Sequence, residues 1–166
     1  MPKTVVLGVS GGIAAYKAAY LTSLLKKRGY DVHVILTNNA QEFVTPLTFE
    51  TLSGNEAITD TFKRTAEFDV RHVSLAKKAD MFIVAPATAN ILGKAALGIA
   101  DDILTTTLLA AQCPVVFAPA MNTAMYEDPA VRNNIRILKD RGLRVMDAGE
   151  GNLACGDSGA GRMSEP

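Results

Sequence analysis

Neither sign of charge is in excess along these 166 residues: Lys and Arg number 17, Asp and Glu 17, for a formal net charge of zero. A chain that grips nucleic acid through its phosphates carries a basic surplus, so no nucleic-acid partner is expected. Cysteine is scarce. Cys113 and Cys155 lie far apart and match neither a zinc-ligand spacing nor a C-x-x-C pair, and they read as reduced thiols of a cytoplasmic protein. No apolar stretch approaches the roughly 20 residues of a membrane-spanning helix, so no membrane association is expected. The opening run MPKTVVLGVSGG is too short in its apolar part for a secretory signal, and glycine interrupts it. Internal repeats, linkers and low-complexity tracts are also lacking. These exclusions leave one soluble domain, 1–166, whose 48% hydrophobic content suffices for a sizeable core.

The apolar residues that are present alternate between two periods. Residues 4–9 form a continuous β-branched run, the pattern of a strand buried on both faces of a parallel sheet. After Ser10-Gly11-Gly12, helical spacing extends over 13–28, with Lys26-Lys27-Arg28 suited to the helix C-terminus and Gly29 to its cap. Residues 31–36 read as the next strand, which completes a βαβ unit. Further buried-strand runs occupy 81–85 and 115–118, each ending in proline, and a last strand is expected at 143–146. Helical stretches lie at 73–78, 89–97, 103–111 and 129–141, the last stopped by Gly142. This alternation predicts an α/β fold, a Rossmann-like or flavodoxin-like doubly wound parallel sheet in three layers, α/β/α. The tail from 149 to 166 is glycine-rich and aperiodic, and reads as a loop or flap.

In such sheets the ligand sits beyond the carboxyl ends of the strands. Four predicted strand ends carry small hydroxyl, amide or glycine residues: Ser10-Gly11-Gly12, Thr37-Asn38-Asn39, Pro86-Ala87-Thr88-Ala89-Asn90 and Pro119-Ala120-Met121-Asn122. The glycine turn before Ile13 suits an anion at a helix N-terminus, although it is neither G-x-G-x-x-G nor a P-loop, and a glycine turn there also arises for structural reasons alone. Hydroxyls of Ser10, Thr37 and Thr88 would add donors. The ribose of a dinucleotide calls for an acidic residue after the second strand, and Thr37-Asn38 stands there instead. That favours a mononucleotide such as FMN over NAD.

The motifs are more specific than the composition. Pro86-Ala87-Thr88-Ala89-Asn90 resembles the P-A-S/T-A-N element of the homo-oligomeric flavin-containing cysteine decarboxylases, and Pro119-Ala120-Met121-Asn122-Thr123-Ala124-Met125 their P-x-M-N-x-x-M element. Tyr126 departs from the tryptophan often found there. Leu153-Ala154-Cys155-Gly156, with Gly159-Ala160-Gly161-Arg162-Met163, is similar to the substrate clamp of the phosphopantothenoylcysteine decarboxylase branch. His72 falls where that family has its active-site histidine, and Ser10 to Lys17 and Gly98 to Asp102 match its bacterial members. The resemblance spans essentially the whole chain.

It implies FMN-dependent decarboxylation of 4'-phosphopantothenoylcysteine to 4'-phosphopantetheine in coenzyme A biosynthesis, through thioaldehyde and enethiolate intermediates. Cofactor contacts are implied for Ser10, Gly11, Gly12, Ile13, Thr37, Asn39, Phe43, Pro86, Ala87, Thr88, Asn90, Asp102 and Met121. Substrate contacts are implied for Asn122, Met125, Ala154, Gly156 and Arg162. His72 would serve as base or electrostatic partner in the oxidation, Asn122 would hold the carboxylate, and Cys155 would return a proton in the reduction. Each has a plainer reading. A lone histidine is usually a surface or helix-start residue, asparagine caps helices well, and Met121 and Met125 suit a core, Met125 above all. His33 reads as structural and Cys113 as an inert buried thiol. Lys17, Lys94 and Arg162 are unranked candidates for the substrate phosphate. Asp101-Asp102 reads as a helix N-cap and not as a metal site, since adjacent helical residues point apart.

The resemblance further implies a homotrimer or homododecamer with flavin between subunits, and a synthetase domain that in bacteria is commonly fused C-terminally and is not expected within these residues. Two related activities use the same fold. A lantibiotic-type peptidyl-cysteine decarboxylase stops at the enethiol and needs no reducing cysteine, so Cys155 argues against it. A regulatory flavoprotein of the phosphatase-inhibitor kind often has a long acidic tail and may lack the asparagine, whereas Asn122 is present here. A prenyl-transferring flavoprotein does not fit the P-x-M-N and cysteine-flap motifs.

Overall fold

The computed structural model describes residues 1–62, 71–156 and 158–166. Among the described residues, seven strands and seven α-helices follow in the order β1 (Thr4–Val9), α1 (Ala15–Lys27), β2 (Asp31–Leu36), α2 (Pro46–Ser53), α3 (Arg71–Lys78), β3 (Met81–Ala87), α4 (Ala89–Leu97), α5 (Ile103–Ala110), β4 (Val115–Pro119), α6 (Thr123–Glu127), α7 (Pro129–Asp140), β5 (Arg144–Val145), β6 (Gly149–Asn152) and β7 (Ser158–Arg162). The first five strands make one parallel sheet in the order β2-β1-β3-β4-β5, and β6 and β7 form a separate antiparallel hairpin. The order matches the flavodoxin-like pattern, whose direction of winding reverses between β1 and β3.

Alternation along the strands divides the core into two halves. Val6, Phe82, Val84 and Phe117 join Ile91, Leu92, Leu104 and Leu138 of α4, α5 and α7 in one cluster. Leu7, Val9, Val34 and Leu36 join Ala15 and Ala18 of α1 and Phe49 of α2 in the other, which also takes in Met163 from beyond β7. Gly8 has a packing reason: a Cβ there would come within 2.3 Å of Leu104 Cδ1, so glycine lets α5 close on β1.

Most predicted boundaries agree within two residues, and the differences have local causes. Helix α1 starts at Ala15 because Gly12 to Ala14 form a turn, with the Ala15 N–H donating to Gly12 O at 2.9 Å. Strand β3 includes Pro86 and runs one residue past it, to Ala87, whereas β4 ends on Pro119. Proline has no N–H for a ladder, and the β3–β4 register shifts between Val84 and Ala87 to accommodate it. The unforeseen α2 starts with Pro46 in its first turn and stops at Gly54, whose φ of 74° is left-handed. The tail, expected as an aperiodic loop, pairs as β6 and β7.

Candidate active site

A cavity of about 950 Å³ opens beyond the carboxyl ends of the parallel strands. Its walls come from Ser10 to Ala14 after β1, Thr37 to Asn39 after β2, Thr88 to Ile91 after β3, Ala120 to Asn122 after β4, and Asn152 to Cys155 of the hairpin. Loops predicted from four separate strand ends thus meet around one space, at the winding reversal.

One half of the cavity is built from neutral donors. The Ser10 hydroxyl donates to Pro86 O at 2.6 Å and accepts from the Thr88 N–H at 3.1 Å, fastening the ends of β1 and β3 together. Helix α1 has no side-chain cap; the Ala15 and Lys17 N–H groups donate to Gly12 O and Ala14 O, each at 2.9 Å, and the turn Gly11-Gly12-Ile13 before them lines the cavity. Gly11 is needed for close approach, since a Cβ would lie 2.4 Å from Asn39 Cβ. Thr37 Oγ1 accepts from Ala40 N at 3.1 Å, Thr88 caps α4 at Ile91 N, and Asp102 caps α5 at Thr105 N at 2.7 Å. Asp101 takes Lys94 Nζ on both carboxylate oxygens, at 2.8 and 3.0 Å, which holds its carboxyl below the ordinary value. Lys94 on this wall is therefore already matched by a carboxylate.

The other half is the junction of the hairpin with the loop after β4. Asn122 Oδ1 accepts from Ala124 N at 2.8 Å and caps α6, while its Nδ2 points to Cys155 Sγ at 3.7 Å. Both readings of this asparagine, cap and functional amide, thus coexist in one side chain. The Met121 N–H donates to Gly161 O at 2.9 Å, joining β7 to the loop. At Gly161 the φ of +133° and a hypothetical Cβ only 2.3 Å from Met121 O both call for glycine. Tyr126, where relatives of this motif often have tryptophan, is buried, and its hydroxyl accepts from Ala148 N at 3.3 Å just before the hairpin starts.

The remaining candidates are distributed unevenly. Met125 is 48% exposed on the cavity rim and does not belong to the core. Ala154 and Arg162 line the cavity, whereas Gly156 does not. Pro86 and Ala87 stand behind the wall, Ala87 fully buried. Phe43 ends a short 3-10 turn (Asn39–Glu42), half-exposed and outside the cavity. His72 is the second residue of α3 and is not among the lining residues, and part of the chain just before it, 63–70, lies outside the described residues. His33 belongs to a cluster with Asp31 and Lys78 near the opposite, amino end of β2. Burial pushes the Cys113 thiol up from its usual value, and Cys113 lines a separate, smaller pocket of about 240 Å³. Asn152 lines the main cavity without having been foreseen, because a single asparagine between Gly151 and Leu153 has neither periodicity nor a motif of its own.

The family model described as Flavoprotein matches residues 1–166. The chain belongs to the Flavoprotein family. Among curated relatives it is 55% identical over 164 residues to the coenzyme A biosynthesis bifunctional protein CoaBC of Bacillus subtilis, covering 99% of this chain and 40% of that protein. It is 50% identical over 165 residues to the protein of the same name from Mycobacterium bovis, covering 99% and 39%. This flavoprotein chain therefore spans about two fifths of the length of those relatives. Among solved structures it resembles a PPC decarboxylase mutant complexed with pantothenoylaminoethenethiol, with a TM-score of 0.88 and 28% identity over 100% of this chain and 93% of the other. It also resembles the FMN-dependent cysteine decarboxylase SpaF, with a TM-score of 0.84 and 34% identity over 96% of this chain and 89% of the other.

The cavity suits the cofactor the family name implies. An uncapped helix N-terminus with adjacent hydroxyls fits a phosphate, and threonine and asparagine after β2 leave no carboxylate to repel one. The volume, about 950 Å³, lies at the upper end of the range for small-ligand sites and leaves room for a second small molecule.

Proposed function

We propose that this chain uses FMN to remove CO2 from the cysteine end of 4'-phosphopantothenoylcysteine, giving 4'-phosphopantetheine for coenzyme A synthesis. The observation that carries the reading is the pairing of Asn122 with Cys155 in the cavity wall, Nδ2 to Sγ at 3.7 Å. It brings a neutral amide donor and a thiol together on the wall of the cavity that also holds the glycine turn. Names of relatives support the same reading, since the chain resembles CoaBC proteins and a PPC decarboxylase.

The chemical difficulty is that direct loss of CO2 leaves a carbanion without an electron sink. FMN supplies reversible hydride acceptance. Oxidation of the carbon bearing sulfur gives a thioaldehyde, whose C=S group accepts the electron pair released with CO2 and becomes an enethiolate. Return of the hydride to that carbon and of a proton to its neighbour would give the saturated thiolate, which would regain the proton lost from sulfur in the oxidation, so the net change would be loss of CO2 alone. In this scheme the Asn122 amide orients the substrate carboxylate, and Cys155 delivers the proton from the hairpin. Ser10, Gly12, Thr37 and Thr88 hold the cofactor phosphate and its neighbourhood.

His72 lies outside the lining of its own chain's cavity. If it acts on the substrate thiol, it does so in an assembly in which one copy completes the site of the next, in line with the proposed homotrimer or homododecamer. Apolar side chains exposed on one side of α1, Tyr16 and Tyr20, supply a surface suited to such packing.

The test is anaerobic incubation of the flavin-loaded protein with 4'-phosphopantothenoylcysteine, followed by mass spectrometry. The expected product has lost CO2 only. A product lacking two further hydrogens would assign the chain to oxidative peptidyl-cysteine-type chemistry, and unchanged substrate with bound flavin would assign it a regulatory role.

A further inference from the structure

Lys17 is 6% exposed, two residues into α1 from its start, and it lines the cavity. A buried ammonium is costly unless it is paired and hydrogen-bonded. Both acceptors recorded for it belong to the chain's last residues, 146 and 148 positions away: Met163 O at 3.0 Å and Glu165 Oε1 at 2.8 Å. The same carboxylate oxygen takes Arg162 Nη2 at 3.1 Å. Between these partners Met163 is 3% exposed and packs into the α1 half of the core.

The end of β7 is thereby held from two sides. Gly161 is joined to the loop that carries Asn122 through the Met121 N–H. Two and four residues on, Met163 and Glu165 are joined to the helix that opens at the glycine cradle. Cys155 lies at the far turn of the same hairpin, so its distance from Asn122 depends on how firmly the hairpin base is held.

We propose that Lys17 is a positioning residue that latches the hairpin base onto α1 and so keeps the Cys155 thiol in register with Asn122. The latch stands on geometry, and its consequence for product rests on the proton-donor reading of Cys155 given above. The ion pair joins a buried end to an exposed one, since the Glu165 side chain is 69% exposed. Glu165 is thus the side from which the latch can be weakened without opening the core.

The experiment compares hydrogen exchange in the flavin-loaded wild type, Lys17→Met and Glu165→Gln, reading a peptide over 158–163 against one over 89–97 in α4. Lys17→Met is expected to speed exchange over 158–163 about tenfold or more and Glu165→Gln about threefold, with 89–97 unchanged, as for a local opening. In parallel, the fraction of decarboxylated product that lacks two hydrogens should rise in Lys17→Met, because a displaced thiol returns its proton late. Unchanged exchange over 158–163 in both variants overturns the latch. So does a rise everywhere in Lys17→Met with no change in Glu165→Gln, which would make Lys17 a packing residue. Faster hairpin exchange with an unaltered product ratio overturns the positioning role. Local loosening in a protein whose wild type releases no CO2 supports the latch and refutes the decarboxylase reading.

Discussion

Asn122 Nδ2 stands 3.7 Å from Cys155 Sγ, although 33 residues separate them and one belongs to a helix cap and the other to a hairpin turn. The two meet because Gly161 accepts from Met121, setting β7 directly against the loop after β4. If Cys155 supplies the last proton, Cys155→Ser removes the acid and leaves the wall intact, since serine is nearly isosteric and the position is exposed. The expected outcome is unchanged flavin absorbance before substrate is added and then, without oxygen, release of about one CO2 per flavin, product lacking two hydrogens, and loss of the oxidised-flavin absorbance. Normal saturated product from Cys155→Ser would remove the thiol from the mechanism.

Two of the hydrogen bonds of Asn122 can be separated by one substitution. Its Oδ1 caps Ala124 N at 2.8 Å, and aspartate preserves that acceptor. The Nδ2 donor is lost and a negative charge faces the substrate carboxylate. Asn122→Asp is therefore expected to keep its Tm within about 2 °C, as a retained cap requires. Its kcat/KM should fall on the order of 10²-fold, the scale for removing one well-placed donor. A large fall in Tm with proportionate loss of activity would show the cap to be its main role.

The parallel sheet was legible because its strands are continuous apolar runs and its helices have clear stripes and glycine stops, as at Gly29 and Gly142. Loop residues at the strand ends were legible for the same reason, since topology alone sends Ser10, Thr37, Thr88 and Asn122 to one edge. The hairpin was not. Gly149, Gly151, Gly159 and Gly161 alternate with polar or small residues, so its strands have a period of two but no apolar face to mark it. The Lys17 latch was hidden for a different reason, because nothing local relates a helical lysine to a carbonyl 146 residues away. Phe43 and Gly156, implied as contacts by the resemblance, lie outside the cavity lining formed by this one chain.

Thr123 follows Asn122 and sits beneath the hairpin, where a Cβ on Gly159 would come within 2.8 Å of its Oγ1. That hydroxyl is buried and has no hydrogen-bond partner among the described residues. A buried, unsatisfied hydroxyl costs about 1–3 kcal/mol, and valine keeps the shape without the polar atom. Thr123→Val should raise Tm by a few degrees, at roughly 2–4 °C per kcal/mol for a domain of this size. An unchanged or lower Tm would mean that the hydroxyl finds a partner in solution.

Acid sensitivity should concentrate at the start of β2. Lys78 Nζ donates to Asp31 Oδ2 at 2.9 Å, Asn55 Nδ2 to Oδ1 at 2.9 Å, and His33 Nε2 lies 3.1 Å from Oδ2. Led by Lys78, these partners hold the Asp31 carboxyl well below its ordinary value of 3.8. A carboxyl depressed in the folded state binds its proton more readily when unfolded, so it stabilises the fold above the unfolded value and loses that contribution as pH falls below it. Comparing the Tm of wild type and Asp31→Asn should show the wild type more stable at pH 7. The gap should persist to about pH 5 and close progressively below about pH 4. A gap that stays constant down to pH 3 would mean that Asp31 contributes through hydrogen bonds that asparagine cannot replace and not through its charge.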